Sequence, residues 1–547
     1  MEQFRFLAAI VLSFLVFIVW NYFFMPEPSS LPEEPREVAF SPLTERSESA
    51  SPDLLTFPQT DFGVLQSAPQ RAARLYTVET PLYTAVITEK GAAFEGFSLK
   101  HYRESSEKGS PEKQILESYL GPNFTLSTEG SSIPGLGTAL FTGPDREKQV
   151  LGTRDETLVF TWASPEGFVV EKRYTFRPES YLITCDVRIR NTGSLVIADR
   201  LGFSLTSAVA DRRAIGFEGP TALIDRDVER LKAKDIRKKG RYSGDIRWVA
   251  LQDHYFATAV IPVSEEPSVM RVSMEDNQAY RLTYYTDTFQ MGPGALVSKQ
   301  VQFFAGPKSV TVLKEAGYGL QALVDFGWFD LLAQPCLWLL NKIYNVIPNY
   351  GVAIILLTVF IKLLFWPLGN KSYRAMNEMK KLQPLMMELR EKYGHDKQKM
   401  NQEIMNLYRT YKVNPMSGCL PLLVQMPIFI ALYRMLYEAI ELRHAPFMGW
   451  IQDLSAPDRL FEFGFSIPFM QEPYGIPVLT IIMGATMFLQ QKMAPPAGDP
   501  MQAKIMMFLP LIFTVIFINF PAGLVLYWLV NNILSIAQQY YIIRTSR

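Results

Sequence analysis

Histidine and cysteine are scarce in this chain of 547 residues, at four and three. Cys185, Cys336 and Cys419 lie far apart, and no Cys-x-x-Cys pair occurs. His101, His254, His395 and His444 are equally scattered, so neither a disulfide framework nor a His/Cys metal centre has support. Net charge is missing too: 54 Lys and Arg balance 54 Asp and Glu, which argues against a general affinity for nucleic acid. No Gly-rich phosphate loop, Ser/His/Asp arrangement or buried carboxylate pair stands out. Hydrolysis of ATP or peptide therefore has no visible basis, and neither enzymatic chemistry nor a cofactor is expected.

What is present is a strong division along the chain. Phe6–Trp20 is almost wholly apolar, and Asn21–Met25 extends it to about the 20 residues that a bilayer span requires. Arg5 precedes it and no small-x-small cleavage site follows, so residues 1–25 are expected to be an uncleaved transmembrane anchor. Residues 26–56, rich in Pro, Ser and Glu, have linker composition. From residue 57 to about 315 the pattern is one of short β-rich runs. Leu75–Ile87 and Phe168–Ile189 alternate polar and apolar residues, and Asn191-Thr192-Gly193 signals a turn. A large all-β sandwich is expected here, with the charged run Asp225–Arg241 as a solvated loop or short helix.

Residues 320–349 are expected to hold an interfacial amphipathic helix. Asp330, Gln334, Asn341 and Asn345 share a narrow stripe, Trp328, Leu332, Trp338, Leu339 and Ile343 take other faces, and Pro335 should kink it. Five apolar segments follow in residues 350–547: about 350–369, 418–440, 475–491, 505–520 and 522–542. With the anchor they make six predicted spans. Residues 370–415 carry ten Lys or Arg against five acids, whereas residues 442–474 carry two against four. The positive-inside rule then puts the first loop and both termini in the cytoplasm, and the β-domain outside. Residues 371–412 read as an amphipathic αα-hairpin broken at Gly394-His395-Asp396. Met379, Leu382, Leu385 and Leu407 lie on its apolar faces.

A charge inside a span is costly and faces protein, water or a cavity, unless it snorkels to the headgroups. Lys362 is the clearest case and reads as the single intramembrane charge, with Thr358 one turn away. Tyr527, Asn531, Ser535 and Gln538 or Gln539 form one stripe of the last span, flanked by Trp528 and Asn532. Gln425, Thr514 and Asn519 add polar groups from other spans. Singly these are interhelical glue; together, beside one cation, they suggest a wet cavity. Pro421, Pro427 and Pro510 should bend their helices and open space between them. A solute channel or transporter would use the same groups. It also calls for internal repeats and a path to both faces, and no repeat is seen.

Asn414-Pro415-Met416-Ser417-Gly418-Cys419-Leu420-Pro421, continuing to Phe429, is similar to the YidC–Oxa–Alb membrane protein insertases. So are Glu441–Phe447, Asp453-Leu454-Ser455, Asp499–Gln502 and Phe520–Trp528, and, in the β-region, Trp248–Phe256. The resemblance implies a polytopic α-helical inner-membrane protein: a five-helix insertase core, a groove open to the cytoplasm and to lipid, and a periplasmic supersandwich-like β-domain. It implies a function as insertase and folding chaperone, alone or with the Sec translocon. Implied partners are newly made membrane proteins and the bilayer, with the ribosome and signal-recognition receptor as candidates at the cytoplasmic loops. The substrate groove is expected to be formed by Lys362, Thr358, Gln425, Asn519, Tyr527, Trp528, Asn531 and Asn532, and the resemblance implies that the hairpin receives substrate. Lys362 stands where the family usually has arginine, and Trp528 near where it often has a second tyrosine. Because the sequence stops at Arg547, tail-based ribosome binding is not expected. The family's sandwich also resembles sugar-enzyme folds, but no carboxylate pair supports such chemistry.

Overall fold

The computed structural model describes residues 72–545 apart from 153, 210–216, 265, 277, 412, 414–419 and 494–499. The expected anchor, the linker and most of the Asn414–Cys419 motif lie outside the described residues. The alternation in Leu75–Ile87 becomes two antiparallel strands, Leu75–Glu79 and Tyr83–Thr88. That in Phe168–Ile189 becomes Phe168–Phe176 and Leu182–Asn191, paired across a turn. Every second residue of Phe168–Phe176 is buried, the period that a sheet with one covered face imposes. The charged run Asp225–Arg241 contains a short strand, Asp227–Arg230, as well as the helix Ala233–Lys238; the strand was not anticipated.

One eight-stranded sheet packs on two five-stranded sheets. Phe303 of the large sheet stacks on Phe94 of a smaller one, with ring centroids 4.8 Å apart, and lies 4.7 Å from Phe124. Tyr174 donates its hydroxyl to the Ala92 carbonyl at 2.7 Å, so its polar tip is satisfied within the apolar core.

The helical part follows. Helix α1 (Asp330–Tyr344) holds Pro335 and buries Ala333, Leu337 and Leu340 against α2 (Tyr350–Leu364) and α6 (Leu420–Glu438). Leu331 and Trp338 on its other sides, and Trp328 in the turn just before it, are 85%, 66% and 100% exposed, more than a water-facing segment tolerates. The side chain of Asn349 caps α2 by accepting from the Val352 amide at 3.0 Å.

The segment expected as one span over 350–369 ends early. Helix α2 stops at Leu364, and α3 (Trp366–Lys381) departs at 66°. Pro367 is the cause, since proline fits the first turn of a new helix but not the interior of an old one. The expected first helix of the hairpin also divides. After α3, helix α4 (Gln383–Tyr393) starts with Pro384 in its first turn, and α5 (Lys397–Thr410) returns after Gly394, capped by Asp396. Met379, Leu385 and Leu407 are half-buried and Leu382, at the break, is buried. The bundle closes with α7 (Val478–Met493), α8 (Pro500–Phe517) and α9 (Ala522–Thr545). Helix α9 touches α2, α3, α6 and α7 and is the axis of the group.

No single described helix is both long and apolar enough to cross a membrane. The bent pair α2–α3 passes only jointly, and Met506–Phe517 is apolar but short. The apolar segments expected at 418–440, 475–491, 505–520 and 522–542 each coincide with one helix, α6 to α9 in turn, of which α7 has only 16 residues.

Candidate functional site

The site is built where α2, α6 and α9 meet. Along α9, residues four apart share a face, so Tyr527, Asn531 and Ser535 line up, with Gln538 a turn further. Opposite them, the last turn of α2 carries Lys362. Its ammonium donates to Ser535 Oγ at 2.6 Å and to Asn531 Oδ1 at 3.4 Å. Gln425 Nε2 of α6 donates to the same Asn531 oxygen at 3.0 Å. One amide therefore gathers groups from all three helices.

Thr358, Lys362, Gln425, Tyr527, Asn531 and Gln538 border a cavity of ≈ 50 Å³. At roughly 10–15 Å³ per water that is room for a few molecules, and its lining offers each of them several partners. Thr358 adds less than expected, because its hydroxyl is engaged with the Ile354 carbonyl at 2.6 Å. Below the cavity, Gln538 Nε2 donates to Asn370 Oδ1 at 2.9 Å and to the Trp366 carbonyl at 3.1 Å. Beyond that amide pair opens a polar cleft of ≈ 390 Å³ with Arg374 and Lys381 on its α3 wall and Tyr541 on its α9 wall. A Cβ on Gly369 would stand 2.7 Å from Gln538 Nε2, so a larger residue there would displace the Gln538 amide.

Three expected groove residues lie elsewhere. Asn519 sits in the turn between α8 and α9, donating to the Phe469 carbonyl at 2.8 Å and accepting from the Gln471 amide at 2.8 Å. Asn532, about 100° round the helix from Asn531, points to α7 and reaches Thr486 Oγ1 at 3.3 Å. Trp528 packs against Phe429, Phe513 and Phe517. Thr514 donates to the Pro510 carbonyl at 2.7 Å. Sequence reasoning missed Tyr373 of α3, which also lines the cavity; no helical wheel carries across the bend after Leu364. It also overlooked Arg434 and Glu438 of α6, so Lys362 is not the lone charge of the bundle.

A second polar cluster joins the β-domain to the outer end of α6, and the Trp248–Phe256 stretch supplies it. His254 Nε2 donates to the Tyr437 carbonyl at 2.9 Å, with its ring stacked between Tyr255 and Tyr437. Burial first, and then the nearby Lys308 charge, push the His254 imidazole down to about 4. Ser309 donates to Glu441 Oε1 at 3.2 Å, and the Arg443 guanidinium lies over Tyr255 and Phe256. Burial raises the Glu441 carboxyl above its usual range.

A β-sandwich docked on an apolar bundle with an inward-facing cation defines a class: an integral membrane protein with a large extramembrane domain. Comparison with known proteins makes this specific. Residues 75–339 match the model of the YidC periplasmic domain, and residues 342–547 match that of the 60Kd inner membrane protein. The membrane protein insertase YidC of Syntrophobacter fumaroxidans is 42% identical over 558 residues, covering 99% of both chains. That of Syntrophus aciditrophicus is 40% identical, covering 98% of both. The crystal structure of an active YidC insertase covers 86% of this chain and 95% of its own, at 19% identity and a TM-score of 0.36. A galactose mutarotase-like protein from Lactobacillus casei covers 42% of this chain and all of its own, at 12% identity and a TM-score of 0.31. The chain belongs to the YidC family of membrane protein insertases. It is an inner-membrane protein with a periplasmic domain.

Proposed function

We propose that the chamber around Lys362 is the groove through which this insertase passes the hydrophilic end of a client protein. Helices α2 and α6–α9, with the N-terminal anchor, are the spans in this reading; the α3–α5 hairpin and both termini are cytoplasmic. Moving a polar segment through hydrocarbon costs several kcal/mol for each unsatisfied group, roughly. A watered notch with amides and one cation shortens that apolar path. Lys362 attracts acidic or carbonyl-rich parts of the incoming tail, while Asn531, Gln425, Ser535 and Tyr527 supply exchangeable hydrogen bonds. The apolar part of the client then slides along the outer wall of α6 and α8 into lipid, driven by about 0.8 kcal/mol per buried CH₂. The hairpin residues Met379, Leu382, Leu385 and Leu407 receive the client. The Sec translocon, and the ribosome or signal-recognition receptor at the cytoplasmic loops, are the partners proposed for this work.

The observation that carries the reading is the direction of the Lys362 ammonium. It turns inward onto Ser535 and Asn531 instead of snorkelling outward. Lys362→Ala in reconstituted vesicles should impair clients with acidic tails far more than tail-less ones. Equal insertion of both clients by variant and parent would remove the role assigned to the cation.

A further inference from the structure

The segment between α6 and α7 ends in a small hairpin whose strands, Leu460–Phe463 and Tyr474–Ile476, pair antiparallel. It is pinned at several points. Asp458 accepts from the Leu479 amide at 2.7 Å and from Thr480 Oγ1 at 3.1 Å, fixing it to the first turn of α7. Arg459 donates to the Ile518 carbonyl at 2.9 Å and to the Pro473 carbonyl at 2.8 Å. Asn519 holds Phe469 and Gln471 from the α8–α9 turn. The hairpin is therefore fastened across the ends of three bundle helices.

Its side chains are wrong for water. Phe461, Phe465 and Phe469 are 70%, 64% and 82% exposed, though the backbone around them is well anchored. Phe461 and Phe469 also adopt left-handed backbone, with φ of 55° and 65°. A bulky aromatic residue rarely takes that conformation, and a water-facing turn would use glycine or asparagine there. Ile481 and Ile482 early on α7, and Leu511, Ile512 and Val515 late on α8, are exposed apolar residues as well. Those two helices have 16 and 18 residues. At about 1.5 Å per residue they are about 24 and 27 Å long, short of a hydrocarbon core about 30 Å thick. Apolar surface beyond the helix ends would bring the belt closer to the full thickness.

We propose that the 460–476 hairpin is a lipid-contacting element. Phe461, Phe465 and Phe469 lie at the acyl–headgroup boundary of the periplasmic leaflet and complete the hydrophobic height of α7 and α8. Aromatic residues favour that boundary, and Asn519 and Arg459 act as the clamp that holds the rings at this depth. The partner is phospholipid, and the contact is independent of any client in the groove.

The test places a nitroxide at each ring in turn. Cys185, Cys336 and Cys419 are replaced, and Phe461→Cys, Phe465→Cys and Phe469→Cys are labelled separately in the full chain. The labelled proteins are reconstituted in phosphatidylethanolamine–phosphatidylglycerol vesicles, and collisions with oxygen and with a nickel chelate are measured. Leu511→Cys gives the lipid reference and Leu195→Cys, on the β-domain surface, the aqueous one. The three positions should resemble 511, with oxygen favoured over nickel several-fold; nickel access equal to that at 195 would overturn the proposal. Phe465→Trp gives a reading without the cysteine replacements. Its added emission should be quenched by brominated acyl chains, and no quenching beyond the parent's would count equally against it.

Discussion

Replacing Asn531 by aspartate changes the charge of the chamber while leaving its shape almost untouched. The side chains are isosteric, and the oxygen that accepts from Lys362 at 3.4 Å and Gln425 at 3.0 Å would remain in place. At that separation and an effective dielectric of ~20, a carboxylate and the ammonium attract by about 5 kcal/mol. Water in an open notch would leave roughly half of this, about 2–3 kcal/mol. An acidic client tail must then compete with a resident carboxylate for the cation. Its insertion should fall roughly 30- to 150-fold, at 1.36 kcal/mol per factor of ten. Neutral-tailed clients should be nearly unaffected. The assay is protease protection of clients differing only in tail charge, in vesicles containing the parent, Asn531→Asp, Lys362→Gln or both. With both changes the chamber passes from one positive to one negative charge, so acidic tails should lose more than with either single change, while neutral tails stay nearly unaffected. Equal losses for acidic and neutral tails would mean that the substitution merely damages packing, and the electrostatic account of the chamber would be wrong.

Two further outcomes concern the joints of the molecule. A Cβ on Gly351 would fall 2.0 Å from Phe447 Cδ2, and the Phe447 carbonyl is held by Asn349 Nδ2 at 2.9 Å. Gly351→Ala should therefore cost about 1–3 kcal/mol, seen as a lowered Tm in detergent and partly restored by Phe447→Leu. The His254 imidazole, held down to about 4, is neutral when docked and protonates more readily once released. The junction should keep its full strength above pH 6.5 and lose it as pH falls from 6.5 toward 4, by about 3 kcal/mol at most. Amide protection factors at residues 253–256 and 437–441, taken relative to the intrinsic exchange rate at each pH, should fall in that window, and less so in His254→Gln. An exchange profile equally steep in the variant would assign the effect to other groups.

The alternation that marks Phe168–Phe176 as a strand and the four-residue spacing that aligns Tyr527, Asn531 and Ser535 are both local, so both are legible in the amino-acid order. Lys362 could be singled out because charge in an apolar run is costly. What spacing cannot supply is the neighbour. Asn531 and Asn532 are adjacent in sequence, yet one enters the chamber and the other meets Thr486 on α7. Asn519 looked like a groove amide until the loop that it clamps was visible. Pro367 and Pro384, each in the first turn of a new helix, are local marks of the two breaks that the apolar periodicity runs across. Tyr373 had no such signal, because its place depends on the angle after Leu364.

That angle has a mechanical consequence. Helix α3 is a rigid arm of 16 residues, about 24 Å long, pivoting at Phe365. Rotating such an arm by about 10° swings its far end by about 4 Å, yet displaces Tyr373, midway along, only about half as far. The Gln538 amide grips the near end of the arm through Trp366 and Asn370. On the role proposed for the hairpin, cargo tugging at its tip would act through the full length of this lever, while the chamber wall at Tyr373 would move half as far and the end held by Gln538 least of all.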